Sequence, residues 1–121
     1  MELGKSLEDY LEAILMLHQK AEYVRSVDLA RYMGFSKPSI SHAVKILRDG
    51  GYLTVDVEGF LYLTNTGQKV AEGIYERHYL FREILTGIGV SRNVAEQDAC
   101  RMKHYISEES FQKLKESMKG K

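Results

Sequence analysis

A chain of 121 residues can form one compact domain with its own core, or a small domain with an oligomerisation arm. Its 17 basic and 17 acidic side chains cancel, which argues against a general polyanion binder but permits a local basic face on a dimer. Ordinary apolar and charged fractions, no run near the roughly 20 apolar residues of a membrane span, and a single cysteine, Cys100, set aside disordered, membrane and disulfide-framed classes. Met1-Glu2-Leu3-Gly4-Lys5 does not read as a signal peptide, so a reducing, cytoplasmic setting is expected, with no membrane partner.

From Ser6 to about His18, Leu7, Tyr10, Leu11, Ile14, Leu15 and Leu17 recur at helical spacing, with Ser6 as the expected N-cap. A shorter helix is predicted from about Ser26 to Met33, with Val27, Leu29, Ala30 and Met33 inward and Gly34 as its left-handed cap. Ser36 then caps a third helix, in which Pro38 fits the first turn and Ile40, Ala43, Val44 and Leu47 form the buried side. Gly50-Gly51 stops it near Asp49. Tyr52–Val57 and Phe60–Leu63 read as strands joined through Glu58-Gly59. Thr64-Asn65-Thr66-Gly67 opens a long helix to about Ile88. Ser91 caps a fifth helix reaching His104-Tyr105, and Ser107 a sixth running to Met118.

This order predicts a mainly α fold with a small β-hairpin. A winged helix-turn-helix DNA-binding domain occupies residues 1–64, and an all-α domain follows over 65–121. The apolar faces of the later helices cannot wrap so small a domain, and a second copy of the chain is the simplest cover. The expected partners are therefore double-stranded DNA and a homodimer mate.

In a helix-turn-helix the second helix of the pair enters the major groove with its N-terminal residues near base edges. Here Lys37, Pro38, Ser39, Ser41, His42 and Lys45 lie on or beside the outward face of that helix. Small hydrogen-bonding and basic groups of this kind suit phosphates and bases. Arg25 and Arg31 can add phosphate contacts. Asp56 and Glu58 make the wing tip acidic, so the hairpin is expected to pack structurally, or to skim the backbone through Thr54 or Tyr62.

A second set of residues suggests metal chemistry. Asp9 and Glu12 are three apart on one helix face, His78 lies midway along the long helix, and Cys100 and His104 are four apart. Carboxylate, imidazole and thiolate together suit divalent manganese, iron, cobalt or zinc better than calcium or magnesium. Taken singly, each residue also has a plain structural reading: a first-turn dipole partner, a surface histidine, a buried small cysteine. An enzyme built on the cluster is not expected, for no nucleophile–base pairing, glycine-rich phosphate loop or His-Glu-x-x-His run accompanies it.

Ser6–Ile14, Leu63–Gly67, Arg77-His78 and Asp98–Ser107 together resemble the diphtheria-toxin-repressor and manganese-transport-regulator family along essentially the whole chain. The resemblance implies a metal-activated transcriptional repressor that dimerises through the helices after the winged domain and, as a homodimer, acts on palindromic operator DNA. Residues 65–121 then form a helical metal-binding and dimerisation domain. By position it implies Asp9, Glu12, His78, Cys100 and His104 as ligands of Mn2+ or Fe2+, with Glu96 in an ancillary place. Asp9 is similar to the manganese branch and Cys100 to the iron branch, so the site is mixed.

Two positions depart from the family pattern. Lys103 stands where the family has a glutamate ligand, and Arg82 where it usually has an ancillary glutamate. An ammonium about 4 Å from a divalent ion is repelled by roughly 8 kcal/mol at an effective dielectric near 20. Lys103 must therefore swing away, lose its proton, or place its own cation among Asp9, Glu12 and Glu96 in place of the metal. The last case describes a metal-independent winged-helix regulator.

Overall fold

The computed structural model describes residues 4–119, so the Met1–Leu3 part of the signal-peptide reading lies outside the described residues. In chain order the elements are α1 (Lys5–Lys20), α2 (Ser26–Met33), α3 (Lys37–Asp49), β1 (Leu53–Val55), β2 (Leu61–Leu63), α4 (Asn65–Gly87), α5 (Arg92–Met102) and α6 (Glu108–Lys119). The mainly helical fold with one antiparallel hairpin is the one the sequence predicts. The chain divides into two compact units, Met1–Gly73 and Ile74–Lys121. No helix of the described residues is long and apolar enough to cross a membrane.

In the first unit, Leu11 and Ile14 of α1, Leu29 of α2, Ile40 and Leu47 of α3, and Leu53 and Leu61 of the hairpin are fully buried together with Val24. Burying each such side chain is worth roughly 1.5–3 kcal/mol, so this cluster is the main favourable term for the unit. Helix α1 starts earlier than its side chains suggest. Extended Gly4 precedes Lys5 and accepts a bond from the Glu8 N–H, whereas Ser6 lies inside the first turn and is not the cap. Helix α2 has the expected limits and ends at Gly34, whose φ of 71° is the left-handed conformation favoured by glycine. Its Val27, expected inward, is exposed. Ser36 caps α3, its Oγ accepting from the Ser39 N–H at 3.3 Å.

The hairpin pairs Leu53 with Leu63, Thr54 with Tyr62 and Val55 with Leu61. Alternation turns Leu53 and Leu61 into the core and Thr54 and Tyr62 outward. The Asp56 carboxylate accepts from the Glu58 and Phe60 N–H groups at 3.0 and 2.9 Å, so this acidic residue shapes the turn. The Leu61 N–H donates to the Val24 carbonyl at 2.7 Å and His18 Nε2 to the Leu61 carbonyl at 2.8 Å, fixing the wing to the helical layer. At the start of α4, Thr64 Oγ1 donates to the Gly51 carbonyl and accepts from the Gly67 N–H. A Cβ on Gly67 would sit 2.0 Å from the Tyr52 carbonyl oxygen, so only glycine allows that approach.

The second unit has a thinner apolar core. Ile74 and Phe81 of α4, Ala95 and Ala99 of α5 and Phe111 of α6 are buried, and so are His78 and Lys103. Polar contacts join α6 to α4. Arg77 donates to the Ile106 carbonyl and to Glu108, its guanidinium lies 5.1 Å from the centre of the Phe111 ring, and Lys115 pairs with Glu76. Helix α5 ends at Met102, short of the expected His104-Tyr105, because Lys103 takes the C-cap and the Tyr105 N–H turns back to the Met102 carbonyl.

Candidate functional site

The α3 face is built by its cap. Ser36, Lys37 and Pro38 start the helix, and the inward spacing of Ile40, Ala43, Val44 and Leu47 leaves Lys37, Pro38, Ser39, Ser41, His42 and Lys45 exposed. The Ser39 hydroxyl is partly engaged, accepting from Ser36 Oγ at 3.0 Å. Arg25 is the N-cap of α2. Its own N–H donates to Asp28 at 2.9 Å, and its guanidinium lies 4.6 Å from the Phe60 ring centre. Arg31 is exposed and 3.9 Å from Asp28. On the hairpin, Tyr62 stacks on His18 of α1 at 5.9 Å. Its phenol is pushed above the ordinary value, first by desolvation and then by the negative charge of Asp56.

The metal candidates divide between the units. Asp9 and Glu12 are half-buried on α1 of the first unit; His78, Glu96, Cys100 and His104 belong to the second. Within that second unit, His78, Glu96 and Cys100 converge: one donor atom from each lies within 4.8 Å of the other two. His78 Nε2 donates to Glu96 Oε1 at 2.7 Å, which leaves Nδ1 facing Cys100 Sγ at 3.7 Å. The ionised carboxylate fixes Nε2 as the protonated nitrogen, which leaves Nδ1 as an acceptor. Imidazole, carboxylate and thiolate form a suitable donor set for a divalent transition ion, whose neighbouring ligands are about 3–4 Å apart. His104 follows α5 in a turn, so it and Cys100 do not share the continuous helical face their spacing implies.

The same place carries positive charge. Arg82 Nη1 donates to Glu96 Oε2 at 3.3 Å. Burial acts to raise the Glu96 carboxyl, but the hydrogen bond and charge of His78, followed by those of Arg82, outweigh it and hold the group below its ordinary value. Lys103 is only 4% exposed at the end of α5. Arg82 departs from the family pattern in the sequence, but its bond to Glu96 is visible only in the structure. The four-residue spacing of His78 and Arg82 was the available signal, since it puts both on one side of α4.

Residues 2–59 match the N-terminal DNA-binding domain of iron-dependent repressors, and residues 64–120 match their metal-binding and dimerisation domain. The chain belongs to the iron-dependent repressor family. It is 33% identical over 105 residues to the transcriptional regulator MntR of Escherichia coli O6:H1, covering 87% of this chain and 68% of that protein. It is 30% identical over 109 residues to the HTH-type transcriptional regulator MntR of Bacillus subtilis strain 168, covering 90% and 77%. The solved structure of the manganese regulator SloR superposes with a TM-score of 0.80 at 25% identity, over 98% of this chain and 55% of the SloR chain. This chain thus spans about half the length of SloR. The family is one of DNA-binding transcriptional repressors, and the winged helix-turn-helix followed by helices is its fold.

Proposed function

We propose that this chain is a metal-responsive transcriptional repressor, and not an enzyme, that acts as a cytoplasmic homodimer on palindromic operator DNA. Residues 1–64 serve DNA and residues 65–121 serve metal and dimerisation. The observation that carries this reading is the presence in one chain of an exposed polar α3 face and a His78–Glu96–Cys100 cluster. Lys37, Ser39, Ser41, His42 and Lys45, with Pro38 shaping the helix start, meet the major groove, and Arg25 meets the backbone. Mn2+ or Fe2+ is the effector. His78, Cys100 and Glu96, together with Asp9, Glu12 and His104, would supply its ligands, and tighter binding to the DNA-competent state would favour that state. Tyr75, Tyr79 and Ile88 of the second unit, at 40%, 48% and 75% exposure, supply apolar surface for a second copy.

The test is anisotropy titration at fixed salt, using a duplex selected from a random library in the presence of Mn2+. Metal is expected to tighten binding over chelator by at least about tenfold, or 1.4 kcal/mol. An affinity indifferent to both Mn2+ and Fe2+ contradicts a metal response.

The burial of Lys103 favours a second reading, a metal-independent regulator in which the lysine replaces the metal charge. Desolvating an ammonium is costly unless negative groups receive it. On this reading wild type binds the duplex equally in chelator and metal, and Lys103→Glu binds poorly until metal is added. Tight, metal-indifferent binding by Lys103→Glu removes it.

A further inference from the structure

Arg82 and His78 are one helical turn apart on α4, and Glu96 of α5 receives both: Oε1 takes the imidazole at 2.7 Å and Oε2 the guanidinium at 3.3 Å. Both carboxylate oxygens are thereby engaged. Arg82 is itself restrained, with 28% of its side chain exposed and its guanidinium 5.4 Å from the Tyr79 ring centre. A guanidinium does not lose its proton in a protein, so it can leave the carboxylate only by moving. Cys100 Sγ faces the other ring nitrogen, Nδ1, at 3.7 Å.

We infer that Arg82 is a resident cation that competes with the metal ion for Glu96 and so lowers the affinity of the His78–Glu96–Cys100 cluster. The inference rests on reading that cluster as a metal site. An ion drawing on the Glu96 charge must first displace a charge-assisted hydrogen bond, and until the guanidinium leaves it faces a like charge. Arg82 is a positioning residue: it acts through Glu96 and raises the metal concentration at which the site fills. A hydrogen bond to a charged group is commonly worth tenfold to a hundredfold in an equilibrium, which sets the scale at about one to two powers of ten.

The experiment titrates the full chain anaerobically with Co2+ alone and follows the thiolate-to-cobalt absorption that reports Cys100. Circular dichroism and thermal unfolding check that each variant folds. Wild type is expected to show the band only at high cobalt, and Cys100→Ser to lose it. Arg82→Gln should lower the cobalt Kd by about tenfold or more, while Arg82→Lys, which keeps the charge, stays within about threefold of wild type. In a Glu96→Gln background, Arg82→Gln should change Kd by less than about threefold, because the two residues act as a pair. If Arg82→Gln fails to fold, Arg82→Met, which keeps the apolar stem, carries the same expectation.

An Arg82→Gln Kd within about twofold of wild type, with the band intact, overturns the inference and leaves the metal site standing. Equal tightening by Arg82→Lys, or undiminished tightening without Glu96, also overturns it. Absence of a Cys100-dependent band in both wild type and Arg82→Gln sinks the metal-site reading, and the inference with it.

Discussion

The first unit closes on side chains that want nothing but exclusion from water. Leu11, Ile14, Leu29, Ile40, Leu47, Leu53 and Leu61 converge from three helices and a hairpin and are fully buried. The second unit buries Ile74, Phe81, Ala95, Ala99 and Phe111 beside a histidine and a lysine, and draws α6 in with Arg77, Glu108, Lys115 and Glu76. Apolar contact is non-directional and tolerates small shifts, whereas paired charges depend on geometry and on what else is bound. The first unit is thus suited to be a stable reading head, and the second to be the part whose stability a ligand can change.

Substitutions can break or sharpen that contrast. Leu47→Ala removes a fully buried side chain and should cost about 2–5 kcal/mol, read by denaturant unfolding, with loss of DNA binding. Gly67→Ala should cost on the order of 1–3 kcal/mol, because its Cβ meets the Tyr52 carbonyl backbone and not a flexible side chain. A stability equal to wild type would show that α4 does not press on the hairpin as described. Arg77→Gln loses the bonds to the Ile106 carbonyl and Glu108 and should cost about 1–2 kcal/mol, read as faster hydrogen exchange in α6 with α3 unchanged.

The smallest expected effect is electrostatic. Hydrogen bonds from Gln112 and then from Arg77 hold the Glu108 carboxyl below its ordinary value of 4.5. A depressed carboxylate adds stability above its unfolded value and loses it as pH falls through the folded one. Glu108→Gln should therefore be slightly less stable than wild type at neutral pH and indistinguishable from it in the acid range below the folded value. Since Glu108 is well exposed, the difference is small and shrinks further with salt. A gap that persists at low pH would mean that the glutamine acts through packing.

The first unit was the more legible of the two in the sequence, for the same physical reason. Helix periodicity and glycine stops placed α2 and α3, and Ile40, Ala43, Val44 and Leu47 all face inward as the pattern requires. The start of α1 is hidden in the sequence because the Gly4 backbone, with no side-chain cap, opens the helix. In the second unit α5 stops at Met102, short of its sequence pattern, since nothing in a local pattern shows that the chain tightens there. His78, Glu96 and Cys100 could be named from the resemblance to the repressor family. The Arg82–Glu96 bond could not, because it depends on how α4 and α5 meet over fourteen residues of separation. Asp56 reads in the sequence as an acidic wing tip, and its use as a turn acceptor depends on the close return of Glu58 and Phe60.

On the proposed function, metal stabilises the second unit, while the apolar core of the first is complete without it. Residue-resolved hydrogen exchange on the full chain, in chelator and then with saturating Mn2+ or Fe2+, tests it most directly. Amides of α5, Arg92–Met102, should gain protection of about tenfold or more with metal, while the α3 core amides around Val44 and Leu47 stay the same. Equal protection of α5 in chelator and in metal would contradict the account.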